Sequence, residues 1–220
     1  MDLARPLHLP IDAIAFDCDG VLVDSGASVE QAWTRWAAVL DLDPAEVIAY
    51  AHGQRSADTV ERYVEPARRP EFQALVDRLE IDDAPNVTAI PGAVELARSV
   101  PRDRWCVVTS GSRVLATARL TAARIPTPPF VITSDDVVNG KPHPEGYAQA
   151  IARMSADASR VAVAEDSAAG IIAALAAGAG WVIGVGPGAL PTAAHVVVRD
   201  LGAVRWTGDG LLMEADGRLR

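Results

Sequence analysis

Six side chains in this 220-residue sequence could share one piece of chemistry: Asp17, Asp19, Thr109, Lys141, Glu165 and Asp166. The carboxylates and Thr109 each follow an apolar run, and Lys141 lies in a loop after another. Carboxylate oxygens gathered in one place can hold a hard divalent cation such as Mg²⁺. A hydroxyl and an ammonium beside them suit phosphate oxygens, and metal and ammonium together let a phosphate approach carboxylates that would otherwise repel it. Lys141 stands out in composition as well, because it is the sole lysine among 20 basic residues. A chain that uses arginine wherever a generic cation serves keeps lysine where a compact ammonium is needed rather than a planar fork.

The elements that must position these groups read as alternating strands and helices. Ile11 to Phe16 is an apolar run ending in Asp17-Cys18-Asp19-Gly20, the pattern of a buried strand feeding a tight loop. Trp105 to Val108 ends in Thr109-Ser110-Gly111-Ser112, where Ser112 is placed to cap a helix. Phe130 to Ile132, Val161 to Ala164 and Trp181 to Val185 are further strands, and the helix after Glu165-Asp166-Ser167 closes at Gly178. Such alternation predicts a doubly wound parallel α/β sheet. In these sheets ligands bind beyond the carboxyl ends of the strands, where the six side chains fall.

The stretch from Asp24 to Val87 does not read as a single crossover helix. Val29, Ala32, Trp33, Trp36, Ala37 and Leu40 make one helical apolar face, and Phe72, Leu75, Val76 and Leu79 make another behind Pro70. The segment predicts an inserted helical unit. It holds 6 arginines against 13 acids, an excess expected on a solvated outer face. The tail from Val204 to Met213 reads as a terminal hairpin around Thr207-Gly208-Asp209-Gly210.

Phe16-Asp17-Cys18-Asp19-Gly20-Val21-Leu22-Val23-Asp24-Ser25 resembles the first motif of the haloacid dehalogenase superfamily in its phosphatase form. Val107 to Gly111 resembles the second motif, Asn139-Gly140-Lys141-Pro142-His143-Pro144 the third, and Val161 to Ile171 the fourth, in order along essentially the whole chain. The resemblance implies a Rossmann-like catalytic core over residues 1–23 and 88–220, with residues 24–87 as a helical cap. It implies that Asp17 is the nucleophile, forming an aspartyl-phosphate, and that Asp19 is the general acid and then base. It further implies Mg²⁺ held by Asp17, the Asp19 backbone carbonyl and Asp166, with Glu165 as either another carboxylate partner or an orienting group. Thr109 and the Ser110 N–H would bind the transferring phosphoryl group, and Lys141 would neutralise charge there while keeping Asp17 a carboxylate. In the loop Ala51-His52-Gly53-Gln54-Arg55-Ser56, Arg55 is the expected substrate contact from the cap; His52 and His143 lack partners at metal-ligand spacing.

Within that superfamily the stretches around His52-Gly53-Gln54-Arg55 and Thr109 to Arg113 are similar to the sugar and polyol phosphatase branch. The expected substrate is therefore a small phosphorylated metabolite. The alternatives are a phosphomutase similar to the β-phosphoglucomutase type and a non-catalytic phosphate-binding protein. Against the mutase, Val29 occupies the position at which that branch carries a cap-hinge histidine.

Composition closes off other classes. A net charge of −9 argues against a nucleic-acid footprint or a polybasic membrane surface. The uncharged stretch from Ala168 to Val198 is broken by Gly178, Gly180, Pro187 and Pro191, so it reads as helix, turn and strand rather than a membrane span. Met1 to Pro10 has no signal-peptide pattern. The two cysteines, Cys18 and Cys106, read as buried hydrophobes in a reducing compartment. A cytoplasmic monomer is expected. Gly184-Val185-Gly186-Pro187-Gly188 lacks the helix a dinucleotide fingerprint needs and reads as a loop.

Overall fold

The computed structural model describes residues 3–220; Met1 and Asp2, the start of the expected segment 1–23, lie outside the described residues. Strands β1 (Leu7–Leu9), β2 (Ala13–Phe16) and β3 (Val23–Asp24) lead into helices α1 (Gly26–Val39), α2 (Pro44–Ala51), α3 (Ser56–Tyr63) and α4 (Arg69–Asp83). Then come β4 (Thr88–Ala89), α5 (Ala93–Ser99), β5 (Trp105–Val108), α6 (Arg113–Ala122) and β6 (Val131–Ile132). The chain continues through α7 (Glu145–Met154), β7 (Val161–Glu165), α8 (Ala168–Ala176), β8 (Trp181–Val185), β9 (Val196–Val198), β10 (Val204–Trp206) and β11 (Leu211–Met213).

Six of these strands form one parallel sheet in the order β6-β5-β2-β7-β8-β9. Its strands are buried on both faces, as the continuous apolar runs require. Side chains alternate across β2: Ile14 and Phe16 enter the apolar cluster on one face with Leu96, Trp105 and Leu120, and Ala13 and Ala15 enter the other with Tyr147, Ala150 and Ile171. From β2 the chain builds outward to β5 and β6 on one side, and to β7, β8 and β9 on the other. The reversal puts a crevice at the carboxyl end of β2, immediately before Asp17.

Helices α1 to α4 leave and rejoin the sheet domain beside the antiparallel pair β3–β4, which aligns Val23 with Ala89 and Asp24 with Thr88. They pack around a separate apolar cluster that includes Trp33, Trp36, Val47, Val60, Phe72 and Val76. Trp36 is its centre. The ring meets Trp33 and Phe72 edge-on at 5.2 and 5.7 Å, and its Nε1 donates to the Phe72 carbonyl at 3.0 Å. Helices α2 and α3 are too short to show a clear apolar period; α2 starts where the Asp43 side chain accepts from the Ala45 N–H at 2.9 Å.

Four short strands are absent from the sequence reading: the pair β3–β4 at the base of the insert, and β1 and β9. The expected tail hairpin forms as β10–β11, but β1 adds to its outer edge and makes a three-stranded antiparallel sheet. β9 is only three residues long and follows a turn rather than a helix, so the βαβ rhythm does not announce it. After β8 the glycine-rich run enters a single 3₁₀ turn, Pro187–Ala189, as a loop reading requires. Cys18 and Cys106 are buried and unpaired, and among the described residues no helix is long and apolar enough to cross a membrane.

Removing Trp36 would take away both ring contacts and the hydrogen bond while leaving a cavity between α1 and α4. Trp36→Ala should cost about 3–5 kcal/mol in urea unfolding. A loss below about 1 kcal/mol would show that the insert is not packed on this residue.

Candidate active site

Asp17 follows the buried end of β2, its N–H bonded to the Ala164 carbonyl of β7 at 2.9 Å. Lys141 reaches it from the loop before α7, donating from Nζ to Asp17 Oδ1 at 2.8 Å and to Glu165 Oε1 at 2.5 Å. Glu165 is fully buried, and both of its oxygens are committed. Oε1 also accepts from the Tyr147 hydroxyl at 2.9 Å, and Oε2 accepts from the Ser167 N–H and hydroxyl, each at 3.0 Å. The Gly170 backbone makes room for this carboxylate, because a Cβ there would come within 1.7 Å of Oε1.

Asp166 turns toward Asp17, and Gly20 makes that approach possible. Gly20 has φ +75°, and a Cβ on it would come within 1.9 Å of Asp166 Oδ2. Asp17, Glu165 and Asp166 each present an oxygen within 4.8 Å of the others. The donor set is all oxygen, which fits a hard divalent cation. Its electrostatics fit as well. Burial pushes the Asp17 carboxyl above the usual range, with Lys141 opposing and Glu165 and Asp19 adding to the rise. Burial and the neighbouring Glu165 and Asp17 push the Asp166 carboxyl up as well. Glu165 behaves oppositely: burial would raise it, but the Lys141 ammonium and the bonds from Ser167 and Tyr147 hold it below its ordinary value. Lys141, despite burial, is held charged by Asp17 and Glu165.

Thr109 ends β5, its N–H bonded to the Ile132 carbonyl at 2.9 Å and its Oγ1 accepting from the Gly111 N–H at 3.1 Å. Ser112 caps α6 as expected, accepting from the Leu115 N–H at 3.3 Å. The Ser110 hydroxyl crosses to the insert and donates to the Gly53 carbonyl at 2.9 Å. His52 Nε2 lies 3.8 Å from Asp166 Oδ2.

A cavity of about 300 Å³ lies between sheet and insert. Asp17, Asp19, Thr109, Ser110 and Asp166 line it from the core side; Trp33, Gln54, Ser56, Asp77 and Glu80 line it from the insert. Lys141 is not on its wall and reaches the cavity only through Asp17. The acidic excess of the insert is not wholly a solvated outer face, since Glu80 is buried and Asp77 half-buried on this cavity.

Arg55 differs from the expectation of a substrate contact. It lies outside the cavity lining, beside a smaller recess. Its guanidinium is bound by Asp58 at 2.8 and 2.6 Å and donates to the Val138 carbonyl at 2.8 Å. The i, i+3 spacing to Asp58 on α3 explains the capture.

Sequence reasoning missed Arg119. It is buried on α6, with Nη1 3.1 Å from Asp19 Oδ1 and Nη2 3.3 Å from Glu80 Oε1. The available signal was an arginine on the same inward helical face as Leu115, Ala116 and Leu120. Tyr147 was also missed, and an aromatic three residues past Pro144 gave no cue to its Glu165 contact.

Residues 11–178 match the family model of the haloacid dehalogenase-like hydrolases. Hexitol phosphatase A of Escherichia coli (strain K12) is 36% identical over 74% of this chain and 78% of its own length. Glycerol-1-phosphate phosphohydrolase 1 of Saccharomyces cerevisiae is 33% identical over 79% of this chain and 74% of its own. The crystal structure of β-phosphoglucomutase from Clostridium difficile superposes with a TM-score of 0.76 at 20% identity, covering 87% of this chain and 92% of that one, which is a likeness of fold. With the sheet order, the strand-end carboxylates and the buried lysine, these matches make one assignment: the chain belongs to the haloacid dehalogenase-like hydrolases.

Proposed function

We propose that this protein is a Mg²⁺-dependent phosphatase that hydrolyses sugar or polyol monophosphates through an aspartyl-phosphate on Asp17. The observation that carries the reading is the Asp17 carboxylate at the mouth of the β2 crevice, held by Lys141 at 2.8 Å beside Asp166. Relatives named for hexitol phosphate and glycerol-1-phosphate hydrolysis support the substrate class. In this reading residues 24–87 are the cap and residues 1–23 and 88–220 the catalytic core.

An Asp17 oxygen forms a bond to phosphorus as the bond to the ester oxygen breaks, and the departing alkoxide takes its proton from Asp19. Asp19 then accepts a proton from the attacking water, whose oxygen bonds to phosphorus as the Asp17–phosphorus bond breaks. Thr109 and the Ser110 N–H hold the equatorial oxygens. Lys141 keeps Asp17 aligned and anionic, and Glu165, with both oxygens committed, orients Lys141. Asp17, Asp166 and the Asp19 carbonyl would hold Mg²⁺, which supplies charge neutralisation at the phosphoryl oxygens.

Hydrolysis is favoured over phosphoryl shuttling by two features. Val29 lines the cavity at the position where a hinge histidine would be needed, and valine neither titrates nor hydrogen-bonds. Arg55, a cation that could serve a second phosphate, is already engaged by Asp58. A cytoplasmic location is part of this reading, and the two buried cysteines without a disulfide support it.

Phosphate release from glycerol 1-phosphate should require Mg²⁺ and be abolished by EDTA and by Asp17→Asn, since an amide cannot form the acyl phosphate. Wild-type turnover by Asp17→Asn would eliminate the covalent route. Likewise, rapid conversion of β-glucose 1-phosphate to glucose 6-phosphate with little free phosphate would overturn the hydrolase reading.

Lys141→Arg tests the compact-ammonium argument. A planar guanidinium does not fit between Asp17 and Glu165 under Tyr147, so kcat should fall by at least ~10²-fold. A near-native kcat would remove Lys141 from its assigned role.

A further inference from the structure

Arg119 is a buried cation that the hydrolysis scheme above does not use. Its side chain is 3% exposed, and its Nε has no hydrogen-bond partner. A guanidinium in this state is costly to keep and a poor source of stability, because desolvation offsets most of what its ion pairs return. Its two carboxylate partners come from different parts of the molecule: Asp19 from the loop after β2, and Glu80 from α4 of the insert. Both line the cavity, as does Arg119 itself.

The contacts on Asp19 are one-sided. Ser25 donates from its hydroxyl to Oδ1 at 2.7 Å, and Arg119 Nη1 lies 3.1 Å from the same oxygen. Two partners on Oδ1 fix the rotation of the carboxyl group and leave Oδ2 as the oxygen for proton transfer. Ser25 precedes α1, so both the serine and Glu80 connect the placement of Asp19 to the insert.

We infer that Arg119 is a positioning residue that orients Asp19 for proton transfer to the leaving group, and that its second arm to Glu80 ties this orientation to the position of the helical insert. The inference rests on the phosphatase reading. Arg119 does not touch the transferring phosphoryl group in this account and acts through Asp19. Its loss should therefore matter only where the leaving group needs a proton. An alkyl phosphate expels a strongly basic alkoxide. p-Nitrophenyl phosphate expels a stable phenolate, which departs without help in the first half-reaction.

The test compares Arg119→Met, Asp19→Asn and the double variant on glycerol 1-phosphate, and on the first turnover of p-nitrophenyl phosphate followed by stopped-flow absorbance. Arg119→Met should lower kcat on glycerol 1-phosphate by ~10–10²-fold, part of the 10²–10⁴-fold worth of a general acid. KM and the p-nitrophenol burst rate should stay within ~3-fold of wild type, and the double variant should be no slower than Asp19→Asn, because residues acting as one unit are non-additive. Equal losses on both esters, a rise in KM alone, or a further loss in the double variant would overturn the role. If Arg119→Met does not fold, Arg119→Lys keeps the buried charge without a fork able to span Asp19 and Glu80, and the same split between esters decides. Failure of the underlying reading has a separate signature: Asp19→Asn would itself show no dependence on the leaving group.

Discussion

A single ammonium between two buried carboxylates makes the rest of this site possible. Lys141 is 2.8 Å from Asp17 and 2.5 Å from Glu165, at the ends of adjacent central strands. Parallel strands in register bring their carboxyl ends level, so acids placed there crowd together in a region where burial alone would keep them protonated. The ammonium holds Glu165 below its ordinary value, but Asp17 and Asp166 stay raised by burial although Lys141 opposes it, so one cation does not balance three acids. This residual negative charge makes a divalent metal the natural complement of the cluster. Glu165 shows how far the arrangement is specified: four hydrogen bonds converge on it, one of them from Lys141.

The insert is connected to this centre by contacts of different strength. Ser110 to the Gly53 carbonyl and Arg55 on the Val138 carbonyl are hydrogen bonds between loops, replaceable by water if the insert moves, and His52 only stands near Asp166 at 3.8 Å. The Arg119–Glu80 pair is different because it is buried, and separating it would strand two charges. Its partner Glu80 is pushed up to about 7 by burial, with Arg119 opposing.

Most of the core side of the site was legible in the sequence because its strand-end residues stand at chain reversals that apolar runs announce. Asp17, Thr109 and Glu165-Asp166 all directly follow such runs, and parallel-sheet topology brings their ends together without further information. The same logic missed β1 and β9, which are three residues each and depend on distant partners for their pairing. Arg55 illustrates the limit for single side chains: an arginine in a glycine-containing loop of the insert points equally to a ligand or to a local acid, and Asp58 one helical turn away took it. Arg119 was hidden for the opposite reason. Its spacing belongs to a buried helix face, and only the tertiary approach of α4 and the Asp19 loop gives its charge a partner.

The walls of the cavity explain how a strongly acidic insert can serve a protein whose ligand would be an anion. On the core side Thr109 and Ser110 line the cavity as hydrogen-bond donors, with Lys141 behind Asp17. Across the cavity the insert offers Glu30, Asp77 and Glu80 together with Gln54 and Ser56. Carboxylates accept hydrogen bonds, so this wall suits hydroxyl donors, with Glu80 already paired to Arg119. Asp77 and Glu80 thus face the cavity rather than bulk solvent, where composition alone would place them.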